Sequence, residues 1–129
     1  MVILPISLIT ASVLGLMLVW LSARAIAARV KGNALIGDQG DTNLLFAIRT
    51  HGNFTEYAPL FLILLGLLEL TLANQTLLIG LSAVFILSRL LHVFGMGAEA
   101  NLKLRQAGMV GTFTCLVVAS LYGVYIVLL

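Results

Sequence analysis

The residues best suited to chemistry lie together in the segment RTHGNFTEYAP, residues 49–59, directly before an apolar run. At about 100° per residue on a helix, Arg49, Asn53 and Glu56 fall within about 60° of one another. They form one polar stripe, whereas His51 lies on the opposite side of the helix. Arginine can hold a carboxylate through two parallel hydrogen bonds. The stripe therefore indicates a binding site for an anionic ligand.

The composition places this stripe in a membrane protein. The chain of 129 residues has the length of a single domain, residues 1–129, and it is 61% hydrophobic with only 9% charged residues, far from the composition of soluble globular proteins. A net charge of +2, with the basic residues in short connections rather than in one patch, gives no support to a nucleic-acid partner. We expect an integral membrane protein that binds no nucleic acid.

Four predicted helices are each long enough to cross a bilayer, and the second begins with the polar stripe. They comprise residues 2–23, 42–73, 77–98 and 109–129. The polar, glycine-bearing segment 24–41 is the longest predicted loop, and Asp41 or Thr42 is predicted to cap the second helix. The predicted fold class is therefore an all-α integral membrane protein, a four-helix transmembrane bundle.

The distribution of basic residues predicts the orientation of the bundle. Lysine and arginine occur in the first and third connections and are absent from the second. The positive-inside rule places connections of that kind in the cytoplasm. We therefore expect the polar stripe to face the cytoplasm, in a bacterial inner membrane.

Ionisable side chains within the spans require partners, because an unpaired charge inside a membrane costs about 2.5 kcal/mol or more. One interpretation is that Glu56 pairs with an arginine and that the set only holds the helices together. The other starts from the excess of basic residues over buried acids in the cytoplasmic half. These basic residues are Arg24, Arg29, Arg49, Arg89, Lys103 and Arg105. Such an excess favours an anionic ligand that enters from the cytoplasm.

Other kinds of site find little support in the sequence. Cys115, the single cysteine, lies in an apolar run without a neighbouring histidine, so we interpret it as a core residue. His51 and His92 have no cysteine or carboxylate at metal-ligand spacing, and we predict no metal site. His92 is either a packing residue or a general base. Glu69 lies near the end of its span, whereas a small multidrug-type transporter needs a carboxylate at mid-membrane.

The second span begins with a pattern that is recognisable as a whole. Arg49-x-x-x-Asn53-x-x-Glu56-Tyr57-x-Pro59, leading into a transmembrane helix, resembles the signature of the membrane-associated proteins in eicosanoid and glutathione metabolism, the MAPEG family. The pattern is fairly specific, since several polar residue types stand at fixed spacing within a hydrophobic chain.

Supporting resemblances extend over the rest of the chain. Ser22-Ala23-Arg24 resembles the end of the family's first helix, and Arg89-x-x-His92 resembles its third-helix pattern. The spellings IRTHGN, RLLH and RQAGM are most similar to the small bacterial branch of the family.

The resemblance implies a homotrimer of four-helix subunits that binds glutathione between neighbouring subunits near the cytoplasmic face. Carried over by position, Arg24 and Arg49 would hold glutathione carboxylates, Asn53 and Glu56 its amide and amine groups, and Tyr57 would line the pocket. Arg89 and His92 are assigned to the same ligand. A lipophilic small molecule dissolved in the membrane lipid would be the second substrate.

The catalytic half of the resemblance departs from the family pattern. The family places a positively charged arginine near the glutathione sulfur, seven or nine residues beyond a third-helix tyrosine that is Met96 here. Nine residues lead to Arg105 and seven to Lys103, and we prefer Arg105 because it keeps the guanidinium. The usual acidic and basic pair before the signature is replaced by Leu45 and Phe46.

These observations support three hypotheses. The first is a glutathione-dependent membrane transferase or peroxidase. It would activate the glutathione thiolate for reaction with a lipophilic electrophile or hydroperoxide. The second is a non-catalytic membrane scaffold that binds glutathione or an anionic lipid. The third is a small multidrug-type transporter, which the missing mid-membrane carboxylate disfavours.

Overall fold

The computed structural model describes residues 2–97 and 101–128, and this part of the chain forms four α-helices. They are α1 (Pro5–Lys31), α2 (Thr42–Leu70), α3 (Gln75–Phe94) and α4 (Leu102–Leu128). Each is long and apolar enough to cross a membrane. The predicted fold class, an all-α four-helix membrane bundle, is confirmed.

The first helix is longer than the sequence predicted. It continues through Arg24 and Arg29 to Lys31, so the first connection comprises residues 32–41 rather than 24–41. Alanine, arginine and lysine favour helix, and basic side chains in the last turn interact well with the helix dipole. The first break in this pattern is Gly32, where the helix ends.

The fourth helix likewise begins before its apolar run. Asn101 caps it, because its side-chain oxygen accepts hydrogen bonds from the backbone nitrogens of Lys103 at 3.1 Å and Leu104 at 3.3 Å. Lys103 and Arg105 therefore lie on the first turns of α4 and not in a loop.

The second helix agrees closely with the prediction. Asp41 caps it by accepting from the backbone nitrogens of Asn43 at 2.8 Å and Leu44 at 3.3 Å. Pro59 lies inside the helix, which continues through it to Leu70.

The helices pack as a bundle in which α1 lies against α2 and α3, and α4 lies against α2 and α3. The closest approach is between α3 and α4. A Cβ at Gly108 would lie 2.6 Å from the backbone oxygen of Ser88 and from the backbone nitrogen of His92, and Gly111 lies against the Ser88 hydroxyl. Small residues allow helix backbones to come this close in a membrane.

Glu69 holds the opposite end of the bundle together. Its two carboxylate oxygens accept hydrogen bonds from the backbone nitrogens of Ile6 at 2.8 Å and Ser7 at 2.7 Å, and from the Ser7 hydroxyl at 2.5 Å. These nitrogens belong to the first turn of α1, whose partial positive charge a carboxylate stabilises. Glu69 is therefore a helix cap supplied by a neighbouring helix.

The core between the helices is apolar and aromatic. The rings of Phe61 and Phe85 stack with centroids 3.9 Å apart. Cys115 is buried in this core, as predicted. Large apolar side chains such as Leu16, Ile63 and Val117 cover the outer faces, as expected of helices that cross a membrane.

Candidate functional site

The basic residues collect at one end of the bundle, which we call the basic end. Because successive helices run in opposite directions, the carboxyl ends of α1 and α3 meet the amino ends of α2 and α4 there. All seven lysines and arginines belong to these helix ends: Arg24, Arg29, Lys31, Arg49, Arg89, Lys103 and Arg105. The predicted grouping of cations in one half of the molecule is therefore present in the fold.

Arg89 lies at the centre of this end, with only 1% of its side chain exposed. Its Nη1 donates to the side-chain oxygen of Asn53 at 2.8 Å. Its Nη2 donates to the backbone oxygen of Gly108 at 3.3 Å and to the Thr112 hydroxyl. Arg89 thus joins α3 to both α2 and α4.

Aromatic rings complete the surroundings of Arg89. The guanidinium carbon lies 5.7 Å from the ring centroid of Tyr57 and 5.8 Å from that of Phe85, within the range of cation–π attraction. Tyr57 is half-buried and meets Phe113 edge-on, with ring centroids 5.5 Å apart. These rings and polar partners are how the fold accommodates a positive charge inside the bundle.

The bond to Arg89 decides how Asn53 can act. Since the side-chain oxygen of Asn53 accepts from Arg89, the amide NH₂ group is the part of the half-buried side chain left for other partners. Arg49 and Glu56 flank Asn53 one turn away on either side, and both are exposed. The predicted stripe is therefore a surface feature of α2, and the arginine partner inside the bundle contacts Asn53 rather than Glu56.

Arg24 lies on a different face of the subunit. Its guanidinium carbon is 5.2 Å from the centroid of the Trp20 ring, and the side chain is exposed. On α1 it stands about 160° away from Ser22, whose hydroxyl lies 3.1 Å from Nε2 of His51 on α2. His51 is itself opposite the stripe on α2. Arg24 and the stripe consequently face away from each other within one subunit.

Comparison with known proteins identifies the family of the chain. The sequence matches the MAPEG family over residues 7–125. The chain belongs to the MAPEG family. MAPEG proteins are membrane-associated proteins in eicosanoid and glutathione metabolism, so the predicted family and the predicted membrane class are confirmed.

Two curated relatives of this MAPEG protein are the inner membrane protein YecN of Escherichia coli K12 and of Escherichia coli O6:H1 strain CFT073. Each is 29% identical over 111 residues, which cover 86% of this chain and 84% of the relative. No solved structure matches the chain significantly.

The remaining residues assigned from the MAPEG pattern fall into two environments. His92 is buried, and its backbone lies against Gly108 of α4. Lys103 and Arg105 are exposed on α4, and Met96, at the position of the family tyrosine, is buried. The two candidates for thiol activation are thus on the subunit surface.

Sequence reasoning missed two members of the site, Thr112 and Gly108. Both bond to Arg89, and the Thr112 hydroxyl also donates to the backbone oxygen of Gly108 at 2.8 Å. A threonine beside small residues in an apolar span is the signal that could have indicated them, because such residues mark helix contacts in membranes.

Proposed function

We propose that this MAPEG protein is a glutathione-dependent membrane transferase or peroxidase that acts as a homotrimer on a lipophilic electrophile or hydroperoxide. Its family works in eicosanoid and glutathione metabolism, which supports glutathione as the polar substrate. The E. coli relatives are inner membrane proteins, and we place this chain in the same membrane with the basic end in the cytoplasm.

The observation that carries the proposal is the division of the cationic residues between opposite faces. Arg24 on α1 and Arg49 on α2 are both exposed and face away from each other within the subunit. A site that uses both requires Arg24 from one subunit and the α2 stripe from its neighbour. A ring of identical subunits provides that pairing repeatedly, since head-to-tail contacts close by rotation.

The donor set of such a site fits glutathione. The two arginines match the two carboxylates of the tripeptide, and the Glu56 carboxylate matches its ammonium group. The NH₂ group of Asn53 can donate to a peptide carbonyl of the ligand. We assign Arg89 and the buried His92 to positions behind this surface, where Arg89 holds Asn53 in place without contacting the ligand.

The proposed chemistry depends on a cation close to the glutathione sulfur, which stabilises the thiolate. In the transferase reaction the thiolate sulfur forms a bond to an electrophilic carbon, and the leaving group departs with its bonding electrons. In the peroxidase reaction the sulfur takes the distal hydroperoxide oxygen and releases an alcohol, and a second glutathione then yields glutathione disulfide and water. We assign the stabilising charge to Arg105, with Lys103 as the alternative.

Thermal unfolding in detergent tests the binding half of the proposal. Millimolar glutathione should raise the melting temperature of the wild-type protein, because a ligand that binds only the folded state stabilises it. Arg49→Ala should abolish the shift, while Lys31→Ala, which removes an exposed charge from the same end, should keep it. A wild-type protein without any glutathione shift would contradict the proposal.

Ultraviolet difference spectra test the activating residue. Binding of glutathione should produce the absorbance of a thiolate, and Arg105→Ala should remove it while leaving the thermal shift. If Lys103→Ala removes the signal and Arg105→Ala does not, the role belongs to Lys103.

A non-catalytic scaffold is the second candidate. It is favoured by the apolar residues Leu45, Phe46 and Met96 at positions where the family pattern has polar ones. A glutathione shift without conjugation of a chromogenic aryl halide, and without reduction of a lipid hydroperoxide, would establish this alternative.

A further inference from the structure

A cavity at the basic end lies between α1 and α2, away from the proposed glutathione residues. Its volume is about 350 Å³. It is lined by Ser22, Ala25, Ile26, Arg29, Ile48 and His51. These residues occupy the sides of α1 and α2 that face each other, whereas Arg24 and the α2 stripe are on the opposite sides. The cavity is therefore a separate feature of the same subunit.

A neighbouring cavity lies on the other side of Arg29, beside the first connection. This neighbouring cavity has a volume of about 310 Å³, and Ile26 and Arg29 line both cavities. Its other lining residues are Val30, Asn33, Ala34 and Leu35. Arg29 therefore lines two adjacent cavities, and each is large enough for a phosphate group.

Arg29 has donors available for an anion. Its Nη1 donates to the backbone oxygen of Gly37 at 3.1 Å, which fixes the guanidinium beside the cavity. A guanidinium carries five N–H donors, so this bond leaves others to reach a ligand. Phosphate oxygens are among the groups that a planar guanidinium binds best.

His51 supplies a further polar group on the opposite wall. The hydroxyl of Ser22 donates its only proton to the backbone oxygen of Leu18 at 2.8 Å. The contact of 3.1 Å between Ser22 Oγ and His51 Nε2 must therefore have the histidine as donor. This bond fixes the imidazole ring at the cavity wall.

The acidic residues of the first connection do not line either space. Asp41 is engaged in capping α2 through two backbone nitrogens. Asp38 is half-buried in the connection and is also absent from both linings. Arg29 thus supplies the only formal charge among the residues that line the two cavities.

Val30 and Leu35, which line the cavity beside the first connection, are exposed apolar side chains, and Ile36 follows them in the chain. Val30 is 76% exposed, Leu35 92% and Ile36 85%. The 27 residues of α1 span about 40 Å, longer than a hydrocarbon core of about 30 Å. Arg29, two residues before the end of the helix, consequently lies at the level of the lipid headgroups, where exposed apolar residues contact acyl chains.

We propose that the cavity between α1 and α2 binds the phosphate of an anionic phospholipid. Arg29 is the principal phosphate ligand, and the exposed apolar side chains of Val30 and Leu35 contact the glycerol and the beginning of the acyl chains. Basic pockets between transmembrane helices are suited to such headgroups. A free phosphate ion would bind Arg29 but would leave the exposed apolar side chains of Val30 and Leu35 without a ligand to contact. This site is independent of the proposed glutathione chemistry.

Native mass spectrometry in detergent tests the proposal with phosphatidylglycerol and phosphatidylcholine of identical acyl chains. The wild-type protein should retain phosphatidylglycerol in preference to phosphatidylcholine. Arg29→Gln should weaken phosphatidylglycerol binding about tenfold, the loss expected when one charged hydrogen-bond donor is removed. Lys31→Gln is the matched control, since it removes an exposed charge two residues away and should leave binding unchanged.

A second variant separates loss of the site from loss of the fold. Ala25→Leu fills the cavity without changing any charge and should lower phosphatidylglycerol binding at an unchanged melting temperature. Equal retention of the two lipids, or equal losses in Arg29→Gln and Lys31→Gln, would overturn the proposal. In a parallel titration, inorganic phosphate that competes as strongly as the lipid would assign the cavity to a soluble phosphate and overturn the lipid assignment.

Discussion

Arg89 shows how a membrane protein accommodates a buried cation through neutral partners. An amide oxygen, a hydroxyl, a helix carbonyl and two aromatic faces surround its guanidinium. Each partner is dipolar, so the group remains charged while the surrounding helices supply the solvation that lipid cannot. The bond to Asn53 fixes the side chain of that residue. Arg89 therefore lies directly behind the proposed binding surface.

The bond between Arg89 and Thr112 leads to a stability prediction. Thr112→Val keeps the shape of the side chain but removes the hydroxyl, so it should lower the free energy of unfolding by about 1–2 kcal/mol. Thr114→Val changes an exposed threonine on the same helix and should stay within about 0.5 kcal/mol. Unfolding in mixed micelles measures both, and equal effects would mean that the Thr112 bond contributes nothing specific.

At the residue scale, the sequence indicates that Arg89 needs polar partners but does not identify them. A charged side chain such as that of Arg89 within an apolar span requires polar contacts in any fold. Whether Asn53 or Glu56 supplies them depends on the rotation of α2 about its own axis against α3 and α4. That rotation is set by packing over the whole helix interface, and residue spacing along a single helix does not contain it.

At the scale of the elements, the apolar lengths predict all four helices, and the largest differences lie at the basic end of the bundle. The polarity of the basic residues after 23 and before 109 predicts loops there. These residues extend α1 and α4 instead, since lysine, arginine and alanine are good helix formers. Polarity therefore marks the ends of the apolar runs rather than the ends of the helices.

The contact between α3 and α4 depends on the absence of a side chain at Gly108. Gly108→Ala would place a methyl group 2.6 Å from the Ser88 oxygen, so the helices must separate. We expect a destabilisation of about 1–3 kcal/mol. The same displacement should move the Gly108 carbonyl away from Arg89.

Gly123→Ala is the matched control on α4. The nearest atom to its added methyl group is Leu68 Cδ2 at 3.9 Å, an ordinary contact. Because alanine favours helix over glycine by up to about 1 kcal/mol, this variant should be neutral or more stable. A Gly108→Ala protein as stable as Gly123→Ala would show that the close approach is not required.

At the scale of the whole molecule, the ends of the bundle differ in charge. One end carries every lysine and arginine, and the other is joined by Glu69 through bonds to the first turn of α1. An asymmetric distribution of cations orients a membrane protein during insertion. The basic end, with the proposed glutathione and phospholipid sites, should therefore face the cytoplasm.

Cysteine labelling tests this orientation. In a Cys115→Ser background, Gln75→Cys places an exposed thiol at the start of α3, and Gln106→Cys places one near the start of α4. A membrane-impermeant maleimide should label only position 75 in spheroplasts and only position 106 in inverted vesicles. The reverse pattern would place the basic end outside the cytoplasm.

The sequence by itself determined the membrane class, the four helices, the family and the grouping of cations at one end. Each of these depends on composition, on apolar length or on local spacing within α2, the segment 49–59 above all. Tertiary structure decided that Asn53 is held by Arg89, that Glu69 caps α1 and that Arg24 faces away from the α2 stripe. These facts depend on how each helix is rotated against its neighbours, which packing over the whole helix interfaces decides, as the close contact of Gly108 with α3 illustrates.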